Sequence, residues 1–128
     1  MILDSSAVVA VFLKEPGSGD LVTKLASARA VGIGAPTLVE AGIVLTARMG
    51  NQAHALLSQF LTEFSIVTVP FGEEHWRTAV LAYRRFGKGR HAAALNFGDC
   101  MSYATAKLSQ QPLLCTGTDF ARTDLAVA

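Results

Sequence analysis

The sequence predicts an α/β protein whose helices cover both faces of a parallel β-sheet. Short apolar segments suited to strands alternate along the chain with longer segments suited to helices, and this alternation is typical of parallel sheets. Gly, Pro and Ser residues separate the segments. The 128 residues fit a single domain, over residues 1–128, that is large enough to bury a core of its own.

Five short apolar segments are predicted as strands, because each is bounded by polar or turn-forming residues. Asp4 follows the first of these segments directly, and Pro70 ends the third. The predicted strands cover residues 1–3, 31–34, 66–69, 112–116 and 125–127. A turn at residues 117–120 follows the fourth strand.

Helices are predicted between the strands from their start and stop signals. Ser18 suits the N-cap of the second helix, Pro36 the beginning of the third, and Gly50 its end. The predicted helices cover residues 7–13, 19–30, 37–49, 51–64, 72–86 and 97–109. A loop at residues 87–91, rich in Gly, Lys and Arg, connects the last two helices.

The composition argues against a membrane span and against a zinc site. The apolar run at residues 7–13 is far shorter than the roughly 20 residues that a membrane helix needs. No basic leader of a secretory signal is visible, so we expect a cytoplasmic protein. The two cysteines, Cys100 and Cys115, show neither Cys-x-x-Cys spacing nor a nearby His, and both are expected to be reduced thiols.

The net charge of +1 hides a basic segment. No acid lies between Glu74 and Asp99, although this segment holds five of the eleven Lys and Arg residues. A solvated helix face would have the same composition, but the segment also suits a phosphate backbone. The side chains predicted to contact RNA are Arg84, Arg85, Lys88 and Arg90. Trp76 and the phenylalanines are expected mainly in the core rather than as platforms for stacking bases.

Four acids are predicted to meet at one edge of the sheet. Ligand sites in parallel sheets lie beyond the carboxyl ends of the strands. Asp4 follows the first strand, Asp119 follows the fourth, and Asp99 lies in the first turn of the last helix at the same edge. Glu40 lies one turn into an otherwise apolar helix, where an unpaired carboxylate is costly unless it faces a polar cleft.

Each acid also has a purely structural interpretation. Asp4 could cap the helix that follows it. The negative charge of Asp99 could interact favourably with the dipole of its own helix. Asp119 could form an Asx turn, and Glu40 could reach solvent past its small neighbours. These interpretations require four independent coincidences, whereas one shared site explains all four residues.

A carboxylate cluster without His or Cys predicts a hard cation, Mg²⁺ or Mn²⁺, with the four acids as its ligands. Such a cation makes a bound water acidic enough to attack a phosphodiester. Of the ten acids, six remain outside the cluster against eleven Lys and Arg, so the rest of the surface suits a polyanion. The predicted chemistry is hydrolysis of a nucleic-acid backbone.

Four segments carry these acids in a recognisable pattern. They are Ile2-Leu3-Asp4-Ser5-Ser6-Ala7, the apolar helix with Glu40, Leu95-Asn96-Phe97-Gly98-Asp99-Cys100 and Thr116-Gly117-Thr118-Asp119-Phe120. In order and spacing these segments resemble the motifs of PIN domains, most closely those of VapC toxins. The resemblance implies a three-layer α/β/α sandwich with a five-stranded parallel sheet in the order 3-2-1-4-5. It also implies the toxin of a type II toxin–antitoxin system, a Mg²⁺-dependent endoribonuclease.

The resemblance assigns roles to individual residues and implies partners. The acidic quartet would be Asp4, Glu40, Asp99 and Asp119, with Asp4 and Asp99 as direct metal ligands and Ser6 and Thr116 as polar supports. A homodimer and a cognate VapB-like antitoxin are implied, in an assembly that binds operator DNA through the antitoxin. The apolar helices at residues 8–13 and 38–45 suit an antitoxin segment. Thr118 departs from the Asn that this motif often carries.

A different class of protein fits the same residues. In this alternative, the chain is a catalytically silent PIN-like binding module whose acids grip a basic partner. It would act through its antitoxin in DNA-bound repression. Such a module would keep its partner in EDTA and would not cut RNA.

Overall fold

The computed structural model describes residues 1–128 as a parallel sheet with helices on both faces. The strands are β1 (Ile2–Leu3), β2 (Val31–Gly34), β3 (Ile66–Val69) and β4 (Leu113–Leu114). They lie in the order β3-β2-β1-β4, and every pair is parallel. The first strand of the chain therefore lies inside the sheet, between β2 and β4.

All six predicted helices form, with ends that differ by a few residues from the prediction. They are α1 (Ser5–Phe12), α2 (Ser18–Ser27), α3 (Ala35–Met49), α4 (Ala53–Glu63), α5 (Glu73–Phe86) and α6 (Phe97–Ser109). Short 3₁₀ helices cover Gly50–Gln52 and Phe120–Arg122. No helix is both long enough and apolar enough to cross a membrane.

The sheet separates two hydrophobic cores, which confirms the layered α/β architecture. Leu3 and Leu114 point into a core with apolar residues of α1, α2, α3 and α4. Ile2 and Leu113 point into a second core with residues of α5 and α6. Successive strand residues face opposite sides of a sheet, so these two-residue strands contribute one side chain to each core.

The predicted fifth strand is reduced to a single parallel bridge between Leu113 and Val127. The Leu113 N–H donates to the Ala126 carbonyl (2.9 Å), and the Ala128 N–H donates to the Leu113 carbonyl (2.8 Å). The segment thus lies beside β4, the place predicted for it, but the sheet has four strands rather than five. Because β4 is only two residues long, it offers its outer neighbour too few backbone groups for a longer ladder.

Two aromatic residues correct the expectation that these side chains lie in the core. Phe97 is 81% exposed and Trp76 is 46% exposed. They border a groove of about 510 Å³ between α5 and α6, the α5–α6 groove, which Phe71, Val80 and Tyr83 also line. By contrast, Phe60, Phe86 and Phe120 are buried as expected.

Candidate functional site

Asp4 both caps α1 and belongs to the acid cluster. The backbone N–H of Ser6 donates to Asp4 Oδ2 (3.1 Å), so the structural interpretation of Asp4 as a helix cap is observed. The same carboxylate is only 4% exposed and acts on Asp99 through its negative charge. The capping hydrogen bond therefore holds the carboxylate at the carboxyl end of β1, where the site was predicted.

A chain of hydroxyl groups surrounds the Asp4 carboxylate. The Ser6 hydroxyl donates to Oδ2 (2.6 Å), and the Ser102 hydroxyl donates to Oδ1 (2.6 Å). Thr37 Oγ1 lies 3.1 Å from Ser102 Oγ. Ser6 Oγ in turn accepts from the backbone N–H of Thr116 (3.1 Å), so Thr116 contributes its main chain to this network.

Ser102 and Thr37 are site residues that the sequence reasoning missed. Both are buried, and each lies three residues from a predicted acid on the same helix. Ser102 follows Asp99 on α6, and Thr37 precedes Glu40 on α3. Since residues three apart share one helix face, this spacing is the sequence signal that could have revealed them.

Asp99 forms a reciprocal cap at the start of α6. Its Oδ2 accepts from the Asn96 N–H (3.0 Å), and its own N–H donates to Asn96 Oδ1 (2.9 Å). Burial raises the pKa of the Asp99 carboxyl above its ordinary range, although the Asn96 hydrogen bond opposes this rise. The negative charges of the other three predicted acids raise the pKa further. The fold thus brings Asp4, Glu40 and Asp119 within electrostatic reach of Asp99.

Glu40 lies against the first turn of α6. A Cβ atom placed on Gly98 would approach Glu40 Oε1 to 2.9 Å and would come still closer to Oε2. The residue before Asp99 must therefore be very small for Glu40 to occupy this place. The neighbours Val39 and Ile43 are exposed, so α3 presents an apolar surface beside Glu40.

Asp119 lies in the exposed turn after β4, directly before the 3₁₀ helix Phe120–Arg122. Its side chain makes no capping hydrogen bond there. None of the four predicted acids forms an ion pair. The acids that do form ion pairs are Asp20, Glu73 and Asp124. The cluster therefore gathers negative charge without a basic side chain to neutralise it.

The two thiols near the cluster remain protonated at neutral pH. Burial raises the pKa of Cys115 to about 11, and the charges of Asp4, Asp99 and Asp119 add to the rise. Burial also raises the pKa of Cys100 to about 11, with a contribution from Asp99. The side chains that make up the cluster and the network around it are carboxylates and hydroxyl groups, so the donors here are oxygen atoms.

A hard divalent cation fits the chemistry of these donors. No three His, Cys, Asp or Glu side chains stand in an arrangement that could hold a metal ion as they are placed. Mg²⁺ does not need such a cage, because it keeps several waters and binds through one or two carboxylates. The uncompensated charge and the all-oxygen donor set therefore suit Mg²⁺ or Mn²⁺ better than zinc.

Arg85, one of the four predicted RNA contacts, is engaged elsewhere. Its guanidinium lies 3.6 Å from Asp124 Oδ2, which also accepts from Lys107 (2.8 Å). The Tyr103 hydroxyl donates to Asp124 Oδ1 (2.6 Å). Lys107 lies about 12 Å from Asp99 along the axis of α6, given the helical rise per residue. Arg85 therefore pairs with Asp124 rather than with any of the four predicted site acids.

The other three predicted RNA contacts are exposed and take part in no ion pair. The Arg90 guanidinium lies over the Tyr83 ring, 5.5 Å from its centroid. Lys88 is anchored through its backbone, whose N–H donates to the Leu95 carbonyl (2.9 Å). Because Leu95 immediately precedes the Asn96 cap, this contact ties the basic loop to the first turn of α6.

Comparisons with known proteins agree with the architecture. The family model described as PIN domain matches residues 1–125. Ribonuclease VapC36 from Mycobacterium tuberculosis is 48% identical over 126 residues, which cover 98% of this chain and 91% of that protein.

Two solved structures share the fold. The crystal structure of VapC20 from Mycobacterium tuberculosis, a Sarcin-Ricin loop cleaving toxin, aligns with a TM-score of 0.80 at 16% identity and covers 99% of this chain and 97% of that one. VapBC2 from Rickettsia felis, bound to a DNA fragment from its promoter, aligns with a TM-score of 0.73 at 15% identity, over 98% of this chain and 94% of that one.

Proposed function

The chain belongs to the PIN-domain family, and from that premise we propose that it cleaves RNA at the acid cluster with the help of a divalent cation. It is a VapC-type endoribonuclease and the toxin of a toxin–antitoxin pair. One observation supports the proposed site above others. The charges of Asp4, Glu40 and Asp119 all act on Asp99 at one edge of the sheet, and no Lys or Arg pairs with any of the four acids.

The proposal assigns the work at the site to this chain's own side chains. Asp4 and Asp99 would hold the cation, with Glu40 and Asp119 beside it to complete the acidic surroundings. A bound Mg²⁺, which Mn²⁺ can replace, supplies an acidified water and neutralises charge on the phosphate. Ser6 fixes the Asp4 carboxylate through the two hydrogen bonds that it donates.

The RNA backbone is proposed to contact the exposed cations of the basic loop. Arg84, Lys88 and Arg90 take part in no ion pair, whereas Arg85 forms an ion pair with Asp124. Phosphate contacts of this kind position the backbone without reading the bases. We place this activity in the cytoplasm, where the RNA substrate is available.

The exposed apolar surfaces are proposed to bind two protein partners. A VapB-like antitoxin covers the exposed residues Val39, Ile43 and Val44 of α3, and the assembly binds operator DNA through the antitoxin. A second copy of the chain covers the α5–α6 groove, where Phe97 protrudes beside an apolar recess. A knob and a recess on the same surface suit a two-fold interface, because each copy can fill the other.

The test compares wild type with Asp4→Asn and Asp99→Asn in an RNA cleavage assay with Mg²⁺ or with EDTA. Because a bound metal contributes several kcal/mol to catalysis, each variant should lose about a hundredfold or more in cleavage rate. Asp20→Asn is the matched control, since Asp20 is exposed on α2 and pairs only with Lys24. Cleavage that persists in EDTA or in both cluster variants would contradict the proposal. A silent binding module would cut no RNA under any condition.

A further inference from the structure

The Asp4 carboxylate is held on both oxygens by side chains from two different elements. Oδ2 accepts two hydrogen bonds from Ser6, one from its hydroxyl and one from its N–H. Oδ1 accepts one hydrogen bond from Ser102 on α6. A carboxylate offers about four lone-pair positions, two on each oxygen. Only one of them, on Oδ1, is left for a further ligand.

The protons in this network have a fixed direction. As a carboxylate, Asp4 can only accept, so Ser102 uses its single hydroxyl proton in the bond to Oδ1. At the 3.1 Å contact between Thr37 and Ser102, Thr37 must therefore be the donor. Both hydroxyl groups are buried, and no buried side-chain nitrogen or oxygen in the protein lacks a partner. The chain of donors runs from Thr37 through Ser102 to Asp4.

This chain of donors links the elements that carry three of the acids. Thr37 lies one turn before Glu40 on α3, and Ser102 lies one turn after Asp99 on α6. Asp4 stands at the end of β1. The two hydroxyl contacts thus fix the separation of α3, α6 and β1 at the height of the cluster, against the mutual repulsion of the carboxylates.

We infer that Ser102 and Thr37 are positioning residues that present Asp4 to the divalent cation through one oxygen, Oδ1. The inference rests on the proposed function, because it concerns the same metal site. Without Ser102, only Ser6 holds the carboxylate, through Oδ2, so Oδ1 loses its hydrogen bond and cation binding must order it at a cost in affinity. Hydrogen-bond partners of metal ligands typically contribute about ten- to hundredfold to metal affinity.

The experiment measures Mn²⁺ binding to the full chain by isothermal titration calorimetry, with Mg²⁺-dependent RNA cleavage in parallel. The variants are Ser102→Ala, Thr37→Val and the conservative Thr37→Ser. Thr105→Val is the matched control. Thr105 is buried on the same helix, but its hydroxyl donates to the Met101 carbonyl (3.0 Å) and does not contact Asp4.

Ser102→Ala should weaken Mn²⁺ binding by about tenfold. Thr37→Val should weaken it less, and Thr37→Ser should restore the wild-type affinity. Thr105→Val should bind Mn²⁺ as wild type does, even if its melting temperature falls. Thr37→Val keeps the shape of the side chain, so it decides the question if Ser102→Ala does not fold.

Two outcomes separate this inference from the function on which it rests. Wild type that binds Mn²⁺ and cuts RNA, together with hydroxyl variants of unchanged affinity, overturns the positioning role alone. Wild type that neither binds Mn²⁺ nor cuts RNA overturns the proposed function and the inference together.

Discussion

The Glu40 carboxylate lies against the Cα atom of Gly98, the residue directly before Asp99. Two acids from separate helices are thus brought together because a side chain is missing between them. Gly98 is the second residue of α6, where the helical backbone conformation does not require a glycine. The absence of a side chain at this position leaves room for the Glu40 carboxylate.

Gly98→Ala should lower Mg²⁺-dependent cleavage without lowering stability. The new methyl group displaces the flexible end of Glu40, and a misplaced catalytic group costs about ten- to hundredfold in rate. Alanine itself favours a helix over glycine, by up to about 1 kcal/mol. Cleavage kinetics and thermal melting measure the two effects.

The control for this prediction is Gly19→Ala, at the second residue of α2, where nothing lies within 4 Å of an added Cβ. In a Glu40→Ala background, Gly98→Ala should cause no further loss of cleavage rate, because no carboxylate remains to be displaced. Equal effects of Gly98→Ala with and without Glu40 would contradict this explanation.

Asp99→Asn should raise the melting temperature at neutral pH when no metal is present. The raised pKa means that the folded protein holds the Asp99 proton more tightly than the unfolded chain does. This contribution to stability is complete below the ordinary pKa of 3.8 and is lost as the pH rises through the raised value. The advantage of Asn should therefore vanish in acid. Melting curves from pH 3 to pH 7 test this, and a lower melting temperature at pH 7 would contradict it.

The sequence predicted the cluster because acids after strands and in the first helical turns must face one edge of a parallel sheet. Asp4 and Asp99 followed from this rule directly. The rule says nothing of buried hydroxyl groups, so Ser102 passed as an ordinary helix residue. Its hydrogen bond to Asp4 spans 98 positions and depends on how closely α6 approaches β1. The three-residue spacing from Asp99 places Ser102 on the same face of α6, but local patterns in the sequence do not encode how close that face comes to Asp4.

Asp124→Asn should destabilise the protein but leave cleavage unchanged. Burial opposes the ionisation of Asp124, but hydrogen bonds from Lys107 and Tyr103 outweigh it and hold the pKa below its ordinary value of 3.8. The resulting stability is present above that value and is lost as the pH falls through the lowered pKa. We expect a loss of roughly 1 kcal/mol in the free energy of unfolding at pH 7, measured with urea.

In the control for Asp124, Asp20→Asn removes an exposed pair and should cost less than about 0.5 kcal/mol. The difference between wild type and Asp124→Asn should shrink as the pH falls below 3.8. A difference that stays constant with pH would show that the charge of Asp124 contributes nothing.

Lys88→Ala and Arg90→Ala should weaken RNA binding, whereas Arg85→Ala should mainly lower stability. Each lost phosphate contact should reduce the salt dependence of binding by about one unit of slope. Arg29→Ala is the control, because Arg29 precedes β2 and lies at the opposite edge of the sheet from the acids. Binding is measured with intact RNA in an Asp99→Asn background. Equal losses for Arg85→Ala and Lys88→Ala would contradict the distinction.

Phe97→Ala should weaken self-association by about tenfold or more, because an exposed aromatic anchor at an interface typically contributes over 1 kcal/mol. Sedimentation equilibrium measures the dissociation constant. Val67→Ala is the control, since Val67 is an exposed apolar residue on β3, away from the α5–α6 groove. Wild type that sediments as a monomer at high concentration would refute the proposed dimer.

The reduced fifth strand and the exposed Phe97 escaped prediction for two different reasons. Apolar residues in a sequence indicate burial, but they do not say whether the burial occurs within one chain or between chains. Phe97 is apolar, yet its side chain is exposed on the surface of the single chain. Residues 125–127 have the right composition for a strand, yet the length of β4 decides how much of it forms.

Strand β1 is the first strand along the sequence, yet β4, one of its two neighbours in the sheet, is the last. Asp4 is anchored beside β4 by its backbone N–H, which donates to the Leu114 carbonyl (2.9 Å). Ser6 Oγ accepts a hydrogen bond from the backbone N–H of Thr116. The residues before β4 carry Asp4, Glu40 and Asp99 but lack these two anchors and Asp119. The acid cluster is therefore complete only once the segment from β4 to Asp119 has packed beside β1.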